Sequence, residues 1–206
     1  LMPNLARSAR LILSIYFGIV VLGVILYVIA GMDVFDAIIH SISAVATAGF
    51  SSRPEGIMFF ADKPTFWAIQ IVAVVLMILG SINFLLHMFI ITGKFKKVFR
   101  DCEVRLFGIL CCVFIPLFVL AAALGSSDSF LESVSHGTFT FISSITTTGF
   151  SNISSVVSLG QGVMFLVVIV NIIGGGMGST AGGVKQYRLA IAAKSFYWST
   201  KERMSS

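Results

Sequence analysis

Long apolar runs alternate along this chain with shorter segments of mixed character. Residues 11–30 and 66–92 contain no Asp, Glu, Lys or Arg, and 106–125 is interrupted only by Pro116. A fourth run opens at Gly162 and changes character at Gly176. About 20 helical residues at 1.5 Å each cross a ~30 Å hydrocarbon core. The first three runs are therefore predicted to span a membrane. The first exceeds a typical signal-peptide core and has no obvious small-residue cleavage site after it, so it reads as a retained span.

Between spans one and two, and again between three and four, lies a segment that is neither loop nor span. Ile-Ser-Ala-Val-Ala-Thr-Ala-Gly-Phe-Ser (42–51) aligns without gaps on Ile-Ser-Ser-Ile-Thr-Thr-Thr-Gly-Phe-Ser (142–151), identical at six of ten positions. The repeating unit is then span, half-helix, loop, span, which divides the chain into 1–105 and 106–206. The half-helix starts repeat too. Asp33 with Asp36 parallels Ser129 with Glu132, an N-cap followed by an acid three residues on, and the Ser–Glu pair fits the capping box properly. From start to loop the second copy is four residues longer, about one turn. Each half-helix is too short to cross and return. It is expected to enter from outside, stop at mid-membrane and climb back as extended chain, which is tolerated only where protein or a watery cavity surrounds it. The fold class is an all-α membrane protein of repeated span, pore half-helix, loop, span units.

Composition strengthens this picture. Of 206 residues, 57% are hydrophobic and 11% charged, against roughly 25% charged in soluble domains. Soluble enzymes, nucleic-acid binders and disordered regulators are poor fits. The net charge of +5 is explained by placement. All Lys and Arg lie before span one, in 94–105 or after Val184, except Arg53 and Lys63. By the positive-inside rule both termini and the middle loop face the cytoplasm. Asp33, Asp36, Glu55, Asp62, Asp128 and Glu132 fall on the other side and would favour an arriving cation. Cys102, Cys111 and Cys112 form no disulfide framework.

The chemistry on offer suits a dehydrated cation. Each half-helix aims its partly negative C-terminus at the membrane centre. The chain that follows (Thr47, Ala48, Gly49, Phe50; Thr147, Thr148, Gly149, Phe150) is uncharged, and carbonyl rings of this kind replace an ion's water shell in potassium filters. Glycine accepts the dihedrals that inward-pointing carbonyls require. The plain alternative is a loop that merely packs. The fourth run ends in Gly174-Gly175-Gly176-Met177-Gly178-Ser179-Thr180-Ala181-Gly182-Gly183. At roughly 1 kcal/mol per Gly against Ala, continuous helix here is penalised by ~6 kcal/mol. The expected element is an unwound obstruction below the filter that moves on gating. The alternative is helix packing through the Gly174, Gly178, Gly182 spacing.

Thr47-Ala-Gly-Phe-Ser51, Thr147-Thr-Gly-Phe-Ser151, the string from Gly174 to Lys185, and Leu79-Gly-Ser-Ile-Asn-Phe-Leu-Leu-His87 resemble the Trk/Ktr family of potassium-uptake membrane subunits. The resemblance covers nearly the whole chain. Family members carry four repeats around one pore. This sequence has two and starts with Leu, so it is expected to be a fragment holding repeats two and three. The resemblance implies that 47–50 and 147–150 supply two quarters of a K+-binding filter. Glycine at both filter positions goes with potassium preference in this family, serine with sodium. It also implies a homodimer in the bacterial inner membrane, a cytoplasmic nucleotide-binding regulatory subunit, no covalent cofactor and no enzymatic activity. A non-conducting scaffold or sensor of the same fold is the alternative, as is a sodium-permeable member.

Smaller signals read as structural. His40 and His136 are expected to anchor the outer ends of the half-helices, and Asn83 with His87 to share a helix face at i, i+4. Lys185 either approaches the pore or snorkels to the surface. Pro116 is expected to kink its helix.

Overall fold

The computed structural model describes residues 5–126 and 129–205; Asp128 and the side chain of Arg7 lie outside the described residues. Helices follow one another as α1 (Leu5–Ile29), α2 (Val34–Val45), α3 (Phe66–Ser81), α4 (Phe84–Ile91), α5 (Phe95–Arg100), α6 (Cys102–Gly125), α7 (Phe130–Ile145), α8 (Gln161–Ile173) and α9 (Gln186–Ser205). Among the described residues, α1 and α6 are the unbroken helices long and apolar enough to cross a membrane. The helix α6 runs on through Pro116.

The half-helices are α2, of 12 residues, and α7, of 16, the one-turn difference that the repeat arithmetic predicts. Their starts differ in chemistry. Ser129 forms a full capping box: its backbone N–H donates to Glu132 Oε2 at 2.9 Å, and its hydroxyl accepts from the Glu132 N–H. Those Ser129 donors hold the Glu132 carboxyl below the usual range. Asp33 makes no side-chain cap bond, and the Asp36 side chain bonds Ser52 and Arg53 instead of reaching back to the Asp33 N–H.

Burial ties each half-helix into a three-helix wall. The helix α2 packs against α1 and α3, α7 against α6 and α8, and α3 meets α7, joining the two units. Tyr27, Ile69, Leu76 and Met77 fill the first wall, and Phe118, Phe141 and Ile145 the second. Fully burying one such side chain is worth about 1.5–3 kcal/mol. Apolar residues on the outer faces of α1 and α6, such as Phe17, Ile29, Leu120 and Leu124, remain exposed, as a lipid-facing surface requires.

The second predicted span is not one straight helix. It breaks at Ile82–Asn83, and α3 and α4 are bent by 109° to one another. Asn83 is the N-cap of α4, with Oδ1 accepting from the Leu85 N–H at 3.0 Å, so it does not share a helix face with His87. The His87 Nε2 bonds the Leu79 carbonyl at 2.9 Å across the bend. Backbone groups freed by a bend in an apolar setting need partners, and the glycine segment supplies the others. The N–H groups of Gly176 and Thr180 donate to the carbonyls of Ser81 and Gly80, and that of Phe84 donates to the Gly178 carbonyl.

Residues 174–185 contain no helix. The spacing of Gly174, Gly178 and Gly182 is therefore not a helix-contact stripe. Gly174 and Gly183 lie back to back, where a Cβ on either would run into the other's backbone. Beyond the break the chain becomes helical again in α9, a basic segment.

Candidate functional site

Both half-helices end alike. The N–H groups of Thr47 and Ala48 donate to Ala44 and Ser43, at 3.1 and 2.9 Å. Those of Thr147 and Thr148 donate to Ser144 and Ser143, at 3.0 and 2.9 Å. This is the Schellman pattern, whose left-handed position is usually Gly. Here it is Thr in both copies, at φ 50° and 56°, followed two residues later by Gly49 and Gly149 at 73° and 86°. A β-branched residue at positive φ is a true outlier, costing on the order of 1–3 kcal/mol. Sequence reading placed the unusual dihedrals on the glycines alone. The repeated Thr at a helix end where Gly is customary was the available signal.

The two loops lie side by side. A Cβ on Gly49 would strike the Thr148 carbonyl, whereas one on Gly149 would meet nothing within 4 Å. Gly49 is thus required by both dihedral and close approach, Gly149 by dihedral. Both line a cavity of about 500 Å³ that also touches Glu55, Met58, Phe150 and Ser151. Phe50 and Phe150 differ in setting. Phe150 is buried and stacks on His40 of the first unit at 6.0 Å, while Phe50 is 74% exposed.

The glycine break lies against both loops from the half-helix side. Thr180 Oγ1 is 2.8 Å from the Val45 carbonyl and 2.9 Å from that of Gly80, and accepts from the Thr47 hydroxyl at 3.3 Å. The Gly182 N–H donates to Thr147 Oγ1 at 2.6 Å. The strained threonines are therefore the residues that the break touches. Lys185, itself at φ 78°, donates to the Ala181 carbonyl. It folds back onto the break through that bond. Ser179 closes a turn to the Gly176 carbonyl, and Gln186 bonds the carbonyls of Gly174 and Gly175 through its amide and its backbone N–H.

A residue that sequence reading passed over completes this region. Glu103, at the start of α6, is 6% exposed and accepts the Met177 N–H at 2.6 Å. A carboxylate so buried is costly without donors. Its placement opposite the break is non-local, and only an acid just ahead of an apolar run hinted at it.

The far ends of the two loops are tied differently. In the first, Arg53 reaches Asp36 Oδ2 through Nε (3.1 Å) and Nη2 (3.0 Å), and the Ser52 hydroxyl donates to Oδ1 at 2.7 Å. Burial opposes charge on Asp36, but these donors hold its carboxyl below the usual range. His40 lies behind the loop, bonded to Ser51, and is not an end anchor of α2. In the second, the Asn152 amide donates to Gln70 Oε1 of α3 at 2.8 Å.

Such features define a membrane protein of the re-entrant-loop class, in which two half-helix loops meet over a glycine break. Residues 1–205 match the family described as TrkH, cation transport protein, and the chain belongs to that family. It is 31% identical over 197 residues to the Trk system potassium uptake protein TrkH of Escherichia coli K12, covering 93% of this chain and 39% of the relative. It is 28% identical over 193 residues to the Trk system potassium uptake protein TrkI of Halomonas elongata, covering 93% and 38%. The crystal structure of the potassium transporter TrkH from Vibrio parahaemolyticus superposes with a TM-score of 0.88 at 27% identity, over 99% of this chain and 43% of that one. The chain thus spans about two-fifths of the length of the relatives it matches.

Proposed function

We propose that this chain supplies two adjacent quarters of a potassium pore, each built as one span–half-helix–loop–span unit, over 1–105 and 106–206. Carbonyls of Thr47, Ala48, Gly49 and Phe50, with those of Thr147, Thr148, Gly149 and Phe150, coordinate dehydrated K+. The break from Gly174 to Lys185 (Gly174, Gly175, Gly176, Gly178, Ser179, Thr180, Gly182, Gly183 and Lys185) gates flow beneath them. The observation that carries this reading is the seating of one irregular glycine segment on the left-handed threonine of both loops. Obstruction and filter are then one assembly. The cation undergoes no covalent change, so no catalytic residue is invoked.

The relatives named above are called potassium uptake proteins, and that substrate is carried to this chain on the strength of glycine at both filter positions. Their greater length, together with the exposure of Phe50 where Phe150 has a neighbouring unit to pack on, supports further units of the same kind closing the ring. The basic residues of 94–105 and of α9 support a cytoplasmic position for both ends of the chain, and the inner membrane follows from the family resemblance. A homodimer, and a nucleotide-binding regulatory subunit docking on that basic side, follow from the family resemblance.

The test is flux through the complete transporter reconstituted in vesicles, with Gly49→Ser and Gly149→Ser measured separately. Discrimination between potassium and sodium should weaken in both. Gly49→Ser should be the more severe, since its Cβ also meets the Thr148 carbonyl. Selectivity unchanged in both would sink the filter assignment.

A further inference from the structure

We propose that Arg53, locked to the buried Asp36, is a positioning residue for the selectivity of the first filter loop. The inference rests on the filter reading above and adds residues that touch no ion. Residues 51, 52 and 53 follow Gly49 and Phe50 directly, and all three are held by side chains one turn apart on α2. Ser52 and Arg53 bond the Asp36 carboxylate. His40 Nδ1 faces the Asp36 carbonyl at 2.8 Å. A carbonyl only accepts, so the neutral ring carries its proton there, and Nε2 accepts from the Ser51 hydroxyl at 3.0 Å. The Arg53 backbone N–H donates to that same hydroxyl at 3.0 Å, and its guanidinium lies 4.4 Å from the Phe59 ring centre.

Geometry makes this a clamp on the filter. The half-helix end of the loop is fixed by the Schellman turn at Thr47 and Ala48. Its other end is fixed by Asp36 and His40, leaving Gly49 and Phe50 stretched between two anchors. Asp36 is 1% exposed, against 37% for Arg53, so the pair is desolvated on one side and its two bonds to one oxygen are charge-assisted. Phe150 stacks on the His40 ring, so the same clamp also braces the second loop. That second loop has no ion pair: Asn152 is held by Gln70. The first loop alone carries a charged clamp among the described residues.

The experiment compares potassium and sodium flux in the reconstituted complete transporter for wild type, Arg53→Gln, Arg53→Lys and Asp36→Asn. Thermal midpoints are measured alongside. The potassium-to-sodium flux ratio should fall roughly threefold to tenfold in Arg53→Gln and Asp36→Asn, the range expected of residues acting through a packed network. Arg53→Lys, a point charge without the fork, should recover part of it. A purely structural role would lower the midpoint and leave the ratio alone. Should the Gln and Asn variants fail to insert, Arg53→Lys and Ser52→Ala carry the test, and a wild-type ratio in both overturns the proposal. If the wild type itself does not prefer potassium, the filter reading fails first and the clamp with it. If it does, and well-folded Arg53→Gln keeps its ratio, only the clamp is wrong.

Discussion

Thr147 is a β-branched residue held at φ 56°, and one hydroxyl contact with the break accompanies that strain. Thr147→Val keeps the shape but removes the acceptor for the Gly182 N–H, now 2.6 Å away. Gly182 is exposed, so water can replace the lost acceptor and the seated break should lose the net worth of one hydrogen bond, about 0.5–1.5 kcal/mol. Flux should rise, with little change in the potassium-to-sodium ratio. Unaltered flux in correctly inserted protein would mean that the contact does not hold the gate. Glu103 supports the break from its other side. Glu103→Ala should likewise raise flux, Glu103→Gln less so, because its amide oxygen still accepts from Met177; equal flux in all three would detach Glu103 from gating. The glycines of both loops were legible in the sequence because their repeat is local. The Asp36–Arg53 pair and the Glu103–Met177 contact were not. They join residues 17 and 74 positions apart, and no periodicity marks such pairings.

The half-helices were the most legible elements. A cap, a repeated loop and a four-residue length difference fixed their existence and extent, and the capping box at Ser129 is present as the motif requires. The bend in the second span was not legible, because hydrophobicity alone reports an apolar setting, not the backbone's path. Ile82 is apolar, and a lone Asn83 in a run that also holds Gln70 and His87 does not mark a bend. What bends the chain is the supply of partners by a segment 94–100 residues away: Gly176, Gly178 and Thr180 complete the hydrogen bonds that the bend opens. The two irregular elements therefore depend on each other. Replacing the glycines of 175–182 by Ala should stiffen the break and hinder opening, whereas deleting 175–182 should remove the obstruction and raise flux. Both are read as conductance in inserted protein. If neither changes it, the break is scaffolding.

At the scale of the molecule, the units are related but unequal. One loop is clamped by charge and packs Gly49 against the Thr148 carbonyl; the other presents Gly149 to open space and braces Phe150 on the first unit. Half a ring leaves a dehydrated ion short of oxygens. The 206 residues expressed alone should thus insert but fail to restore growth of a potassium-uptake-deficient cell on low potassium; growth would contradict the need for further units. The most direct test of the central claim is to locate the ion. Crystals of the complete transporter soaked in rubidium, a heavy potassium mimic, should give anomalous density within coordination reach of the carbonyls of 47–50 and 147–150. Density absent from both loops, at a rubidium concentration that the transporter carries in flux measurements, would contradict the account.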